Sequence, residues 1–194
     1  MRYILASNSP RRRELLKKVI PEFEIIPAVG EEKTGSSSPA EIVEELSFQK
    51  ASEIFHKILT DTDDNFVVIG ADTVVSYNHR VLGKPVDETH AHQMLRMLSG
   101  QTHKVYTGVT IFIMADKKSE HFTFSECTDV YVSELSEGEI ADYIKSGECM
   151  DKAGAYGIQG EFSRFITGID GDYFNVVGLP VSRLYRELKA RDII

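Results

Sequence analysis

A chain of 194 residues, 42% hydrophobic and 27% charged, is long enough to bury a core without disulfide or metal staples, and its composition is neither that of a disordered segment nor that of a fibre. Twenty-two Lys and Arg against thirty Asp and Glu give a net charge of -8, which argues against a surface that grips nucleic acid or anionic lipid throughout. The charge is uneven: the first twenty residues hold six basic side chains against Glu14 alone, a basic island on an acidic chain.

The predicted elements follow in chain order. Tyr3-Ile4-Leu5-Ala6 reads as a short strand, and Ser9-Pro10 opens a helix to about Val19. The apolar run before Arg11 is too short for a signal-peptide core or a membrane span. Phe23–Ile26 reads as a second strand, and residues 28–38, with two glycines and three serines, as a loop with room to move. Ser38-Pro39-Ala40-Glu41 has capping-box spacing and predicts a helix over 39–59. Phe66-Val67-Val68-Ile69 has the pattern of a strand buried on both faces, ending at Gly70-Ala71-Asp72-Thr73, with Val74-Val75 running on to a turn at Asn78-His79. A helix over 87–98 stopping at Gly100, β-rich stretches at 104–114 and 121–133 forming a hairpin across a charged link, a helix from Ser136 to Lys145 and a last helix over 180–190 complete the reading. Alternating strands and helices with an inserted meander predict an α/β fold with a mixed sheet, one domain over 1–194.

Four segments offer chemistry. Ser7-Asn8-Ser9-Pro10-Arg11-Arg12-Arg13 joins a strand to a helix, where free amides and the helix dipole attract anions, and a bound polyanion would relieve three cations in the first turn. A solvated basic helix start is the plain alternative. Asp72 sits where strand-end carboxylates face ligands in open α/β sheets, or else simply begins a turn. Glu31, Glu32, Lys50, Lys84 and Asp151-Lys152 are single charges that nothing in their spacing brings together. Gly154-Ala155-Tyr156-Gly157-Ile158-Gln159-Gly160 allows close backbone approach, and the Gln159 amide can pair with the edge of a base. Neither a P-loop nor a G-x-S-x-G elbow occurs, His90 and His92 point to different helix faces, and Cys127 and Cys149 read as packing thiols of a reduced, cytoplasmic protein.

Taken together, LASNSPRRRELL at 5–16, GADTVV at 70–75, GKP at 83–85, LSGQTHKVYTGV at 98–109, TDV at 128–130 and DKAGAYGIQG at 151–160 resemble the Maf family of nucleoside triphosphate pyrophosphatases, in order and over nearly the whole chain. The resemblance implies an elongated mixed sheet with helices around it, two lobes about a deep cleft, similar to the inosine triphosphate pyrophosphatases. It implies hydrolysis of the α–β phosphoanhydride to a monophosphate and pyrophosphate with a divalent metal, Mg²⁺ or Mn²⁺, a nucleotide-pool housekeeping role. Carried over residue by residue, Asp72 is the catalytic acceptor and, with Glu32, a metal ligand. Ser7, Arg12, Lys50, Lys84 and Lys152 bind phosphate, and Arg11, Thr73 and Gln159 match the branch that prefers dTTP and UTP, modified pyrimidines included. A homodimer is also implied; no nucleic-acid or membrane partner is expected from the residues themselves, since the net charge is acidic, no aromatics interleave with Arg11 to Arg13 and the N-terminal apolar run is too short to span. Purine or 7-methyl-GTP substrates, and a nucleotide-binding regulator of cell division without turnover, are the alternatives.

Overall fold

The computed structural model describes residues 1–60 and 64–194. Its elements are β1 (Arg2–Leu5), α1 (Pro10–Leu16), β2 (Glu24–Ile25), α2 (Pro39–Leu59), β3 (Phe66–Tyr77), β4 (Arg80–Leu82), α3 (Glu88–Leu98), β5 (Thr102–Ala115), β6 (Lys118–Val132), α4 (Glu137–Lys145), β7 (Ile166–Asp170), α5 (Tyr173–Val177) and α6 (Val181–Lys189). The strands form one mixed sheet in the order β2-β1-β3-β5-β6-β7, with β4 beside β3. This is the predicted α/β class.

The chain divides into two compact units. The first comprises Met1–Asp72, Thr107–Glu126 and Gly178–Ile194, the second Thr73–Tyr106 and Cys127–Val177. In the first unit β1 pairs in parallel with both β2 and β3, Leu5 opposite Ile25 on one side and Ile69 on the other. Parallel strands with helices over them are apolar on both faces, and Phe66 to Ile69 are accordingly fully buried. Helix α2 lays Ala51, Ile54, Phe55 and Ile58 over Ile4, Phe66, Val68 and Phe112. Fully burying each large side chain contributes about 1.5–3 kcal/mol.

In the second unit β3 continues antiparallel to β4 through Val75–Leu82 and Tyr77–Arg80, and β6 pairs antiparallel with β7. Asn78 and His79 both take positive φ, 46° and 61°, which suits a two-residue hairpin turn. Helix α3 packs against α4 and against a 3₁₀ turn at Ala153–Ala155. Phe162 fills the space among Tyr143, Tyr156 and Phe165 at ring separations of 5.1, 4.8 and 5.3 Å.

Several expectations change. The strand at 66–69 does not end at Gly70: β3 runs to Tyr77, twelve residues in all, past its last partner on β1 at Ile69, with β5 alongside and a hairpin to β4 from Val75. Asp72 is therefore a mid-strand residue. Ser38 caps α2 without a side-chain bond, leaving Pro39 to open the helix, whereas the capping box forms at Ser136 and Glu139. The link between β5 and β6 shrinks to Asp116-Lys117, both at positive φ. Strand β7, helix α5 and the 3₁₀ turns are elements without a clear sequence period.

Candidate active site

At the end of β1 the amide of Ala6 bonds Ile69 at 2.8 Å, so the chain leaves the sheet just before Ser7. The Ser7 hydroxyl is buried and accepts from the Ser9 amide at 3.2 Å and from an Arg12 Nη at 3.4 Å. Ser9 caps α1 by accepting from the Arg12 amide at 3.4 Å, with Pro10 at the first helical position. Arg12 Nε donates to the Gly178 carbonyl at 2.9 Å. Two faces of this guanidinium are thus fixed by protein acceptors. Burial pushes its pKa below the usual arginine value, the Arg11 charge adds to that, and Asp72 and Glu32 oppose it. Helix α1 has no acid in its first turn, so its dipole and its arginines reinforce one another as a positive end.

Asp72 and Lys50 meet because α2 lies directly on β3. A Cβ on Gly70 would stand 2.5 Å from the Ser47 carbonyl and 2.8 Å from the Ala51 amide. Likewise, a Cβ on Gly108 would stand 2.2 Å from the Val43 carbonyl. Glycine at both places lets helix backbone touch strand backbone. Ser47 is fastened by its hydroxyl to Thr110 at 2.9 Å. Three residues beyond Ser47, the Lys50 ammonium reaches Asp72 Oδ1 in a short contact and Glu32 Oε1 at 2.9 Å. Asp72 is 8% exposed. Glu31, by contrast, pairs with the exposed Lys33 at 2.9 Å, so the glutamate that faces Lys50 is Glu32.

Two carboxylates on one ammonium are hard oxygen donors at close quarters. Among the described residues no group of three or more His, Cys, Asp or Glu gathers, so a cation here would take two carboxylates from the protein and further oxygens from phosphate or water. That is the usual manner of holding Mg²⁺.

The second unit carries the remaining candidates. Successive strand residues point to opposite faces, so Thr73 goes with Val75. Val75 in turn packs under Gly154, whose absent Cβ would lie 2.8 Å from it. Gly154 has a φ of 68° and donates its amide to the Gly83 carbonyl at 3.0 Å, tying the Gly83-Lys84-Pro85 turn to the glycine-rich segment. Lys84 is exposed there. Lys152 is folded back: its ammonium donates to the Glu148 carbonyl in a short contact and to Asp151 at 2.6 Å, and its stem covers Gly157. The Gly157 amide donates to the Tyr143 hydroxyl at 3.3 Å, and the Tyr156 hydroxyl meets His103 Nε2 at 2.7 Å. Gln159, exposed, follows these two anchors.

The first unit therefore brings Ser7 to Arg12 and Glu32 to Lys50 and Asp72. The second brings the Lys84 turn to the segment that carries Lys152 and Gln159. The Gly178 carbonyl on Arg12 and the Glu148 carbonyl on Lys152 have no sequence signal, since any residue type offers a carbonyl. Gly70 had one: a glycine inside a strand marks close approach of backbone.

With this geometry in view, comparison with known proteins is specific. The sequence model described as Maf-like protein matches residues 2–191. A dTTP/UTP pyrophosphatase of Agathobacter rectalis is 54% identical over 196 aligned positions, 96% of this chain and 95% of that protein. Another dTTP/UTP pyrophosphatase, from Bacillus cereus strain B4264, is 50% identical over 191 positions, 98% and 95% of the two chains. A solved nucleoside-triphosphatase, a dITP/XTP pyrophosphatase from Mycobacterium abscessus, superposes over 98% of each chain at 13% identity with a TM-score of 0.43.

Proposed function

The chain belongs to the Maf family, and from that premise we propose that it is a nucleoside triphosphate pyrophosphatase acting on dTTP and UTP, yielding the monophosphate and pyrophosphate. One observation carries the reading to particular atoms: Asp72 and Glu32 share the ammonium of Lys50 within the field of Arg12.

Hydrolysis between the α and β phosphates needs the phosphate charge offset and its oxygens fixed in line with an attacking water. Arg12, held by Ser7 and Gly178, keeps a permanent positive charge in one direction. Arg11 adds a second charge at the same helix start. Lys50 is placed to give up a carboxylate partner for a phosphate oxygen, and Lys84 and Lys152 supply further cations on the second unit. Carboxylates are weak bases at neutral pH, so Asp72 orients the water or ligates a cation rather than taking a proton unaided. Glu32 and Asp72 would hold Mg²⁺ or Mn²⁺, which when bound supplies charge neutralisation and a more acidic water. Thr73 and Gln159 are the base-reading residues in this proposal, Gln159 through its amide.

The same proposal includes one functional domain and a homodimer, which sedimentation tests. Two cysteines free of disulfide bonds suit a reducing, cytoplasmic setting, and among the described residues no helix is long and apolar enough to cross a membrane.

The experiment is hydrolysis of the common nucleotides and 7-methyl-GTP with Mg²⁺ or Mn²⁺, assaying pyrophosphate and orthophosphate separately. Fast release of pyrophosphate from dTTP and UTP is expected. Orthophosphate as first product removes α–β cleavage, a fast purine or 7-methyl-GTP rate removes the pyrimidine assignment, and no turnover on any nucleotide leaves a binding protein.

A further inference from the structure

Residues 28–37, between β2 and α2, have no regular structure and carry Glu31 and Glu32. Backbone amides outside helices and sheets must go to water or to side chains. Here the sequence suggests a loop with room to move, yet side chains of α2 take the amides of Val29, Gly30, Lys33 and Gly35. Glu53 accepts from the amides of Val29 and Gly30 at 2.9 and 3.0 Å. One helical turn earlier, Gln49 accepts from the Lys33 amide at 3.1 Å and returns a short bond from its own amide to the Lys33 carbonyl. A turn earlier again, Glu45 accepts from the Gly35 amide at 3.2 Å and from the hydroxyls of Thr34 and Ser36 at 2.5 and 2.6 Å.

Positions 45, 49 and 53 are four apart and form one stripe along the helix. Their partners run in the opposite order, so the segment lies antiparallel along the stripe. Between the partners of Glu53 and those of Gln49 come Glu31 and Glu32. The helix residue after Gln49 is Lys50, which grips Glu32 at 2.9 Å. The stripe thus anchors the segment on both sides of the glutamate that faces Lys50.

We infer that Glu45, Gln49 and Glu53 are positioning residues that hold Glu32 beside Lys50 and Asp72, so that the second carboxylate of the site is in place before any ligand arrives. The inference rests on the roles proposed above for Glu32 and Asp72. Its physical content is pre-organisation: a loop already ordered does not have to lose that freedom on binding.

The test compares the wild-type chain with the pair Glu45→Ala and Glu53→Ala, the pair Glu45→Gln and Glu53→Gln, which keeps the shape and one acceptor oxygen at each position, and Glu32→Gln. Hydrogen exchange is followed across 28–37 without nucleotide, Mn²⁺ binding is titrated by calorimetry, and turnover is measured against Mg²⁺ concentration. The alanine pair is expected to lose protection across 28–37 and to weaken Mn²⁺ binding about ten- to a hundredfold, as for other residues that orient metal ligands. Its kcat at saturating metal is expected to stay near wild type, and the glutamine pair, with one acceptor oxygen left at each position, is expected to recover part of both protection and affinity. Unchanged protection in the alanine pair overturns the inference, and so does lost protection with Mn²⁺ affinity intact or a glutamine pair as impaired as the alanine pair. Failure of the proposed activity looks different: wild-type protein then releases no pyrophosphate, while exchange and the Mn²⁺ titration still judge the stripe. If Glu32→Gln binds Mn²⁺ as wild type does, Glu32 is no ligand and the inference falls with it.

Discussion

The Lys50 side chain, mostly buried, sets its ammonium against the carboxylate of the buried Asp72 where α2 crosses β3. Each neutralises the other in a place where little water can do so, and removing one leaves the other to find a new partner. Asp72→Asn keeps the shape and deletes the charge. It is expected to fold and to lose kcat by at least about a hundredfold, the scale on which removing one preorganised polar group from an active site acts. Pyrophosphate release in single-turnover mixing, beside an unchanged circular dichroism spectrum, checks it. Near-normal turnover with metal present would remove Asp72 from the mechanism.

Gly70 gives a prediction through packing. A methyl group added there meets the Ser47 carbonyl at 2.5 Å and the Ala51 Cβ at 2.8 Å, so α2 must lift from the strand. Gly70→Ala is expected to lower stability by about 1–3 kcal/mol and to depress turnover further, because Lys50 moves with the helix. Gly138→Ala is the control. Nothing lies within 4 Å of that site, which is in the first turn of α4, and removing glycine's freedom in the unfolded chain is expected to add about 0.4–1 kcal/mol. Urea midpoints for both variants, with kcat for the first, decide the matter.

How far the sequence could be read depends on where each feature's cause lies. The extent of helix α2 was legible, though not the way it is capped, since its apolar spacing and Pro39 are local, and the Asn78-His79 turn was legible for the same reason. The full length of β3 was not: Gly70 looks like a stop, and only the pairing with β4 shows that the strand continues. Of the site, Asp72, Lys50 and Glu32 could be named from resemblance, but their meeting could not be seen, because residues 32, 50 and 72 are brought together by α2 lying on the sheet. The stripe at Glu45, Gln49 and Glu53 is visible as a helical period of polar residues, and such a period ordinarily marks a solvated face.

His103 makes stability depend on pH. It is 2% exposed, its Nε2 bonds the Tyr156 hydroxyl at 2.7 Å, and burial pushes its pKa from 6.5 down to about 4 against a smaller opposing pull from Asp129. Between those values the unfolded chain binds a proton that the folded chain does not. Stability from this residue is therefore complete above pH 6.5 and falls as pH drops towards 4. The loss from pH 7.5 to pH 4.5 is expected to be about 2–3 kcal/mol. His103→Gln, which can still bond Tyr156, should flatten that part of the pH profile. Denaturant melts of both proteins at the two pH values supply the comparison, and equal slopes would mean that His103 titrates alike in the folded and unfolded chains.

The proposed reading gives Gln159 a part in selecting the base. Its exposed amide follows a segment anchored by Gly157 on Tyr143 and Tyr156 on His103, so the backbone beneath it is fixed while the side chain is free to meet a ligand. Gln159→Ala is expected to lower the preference for dTTP over dATP, as a ratio of kcat/KM, by about tenfold, the worth of one hydrogen bond. Cleavage itself should persist. An unchanged ratio would assign base selection to other residues.

The first unit is assembled from three stretches of chain, Met1–Asp72, Thr107–Glu126 and Gly178–Ile194, and the second from two. During synthesis the opening stretch leaves the ribosome complete with β1, α2 and half of β3, yet Phe112, part of its core, and Gly178, the acceptor for Arg12, arrive only later. The nascent protein therefore cannot finish its units one after the other. Its early half is left with apolar surface uncovered until the later stretches are made, the kind of exposure that opens a nascent chain to aggregation and to chaperones.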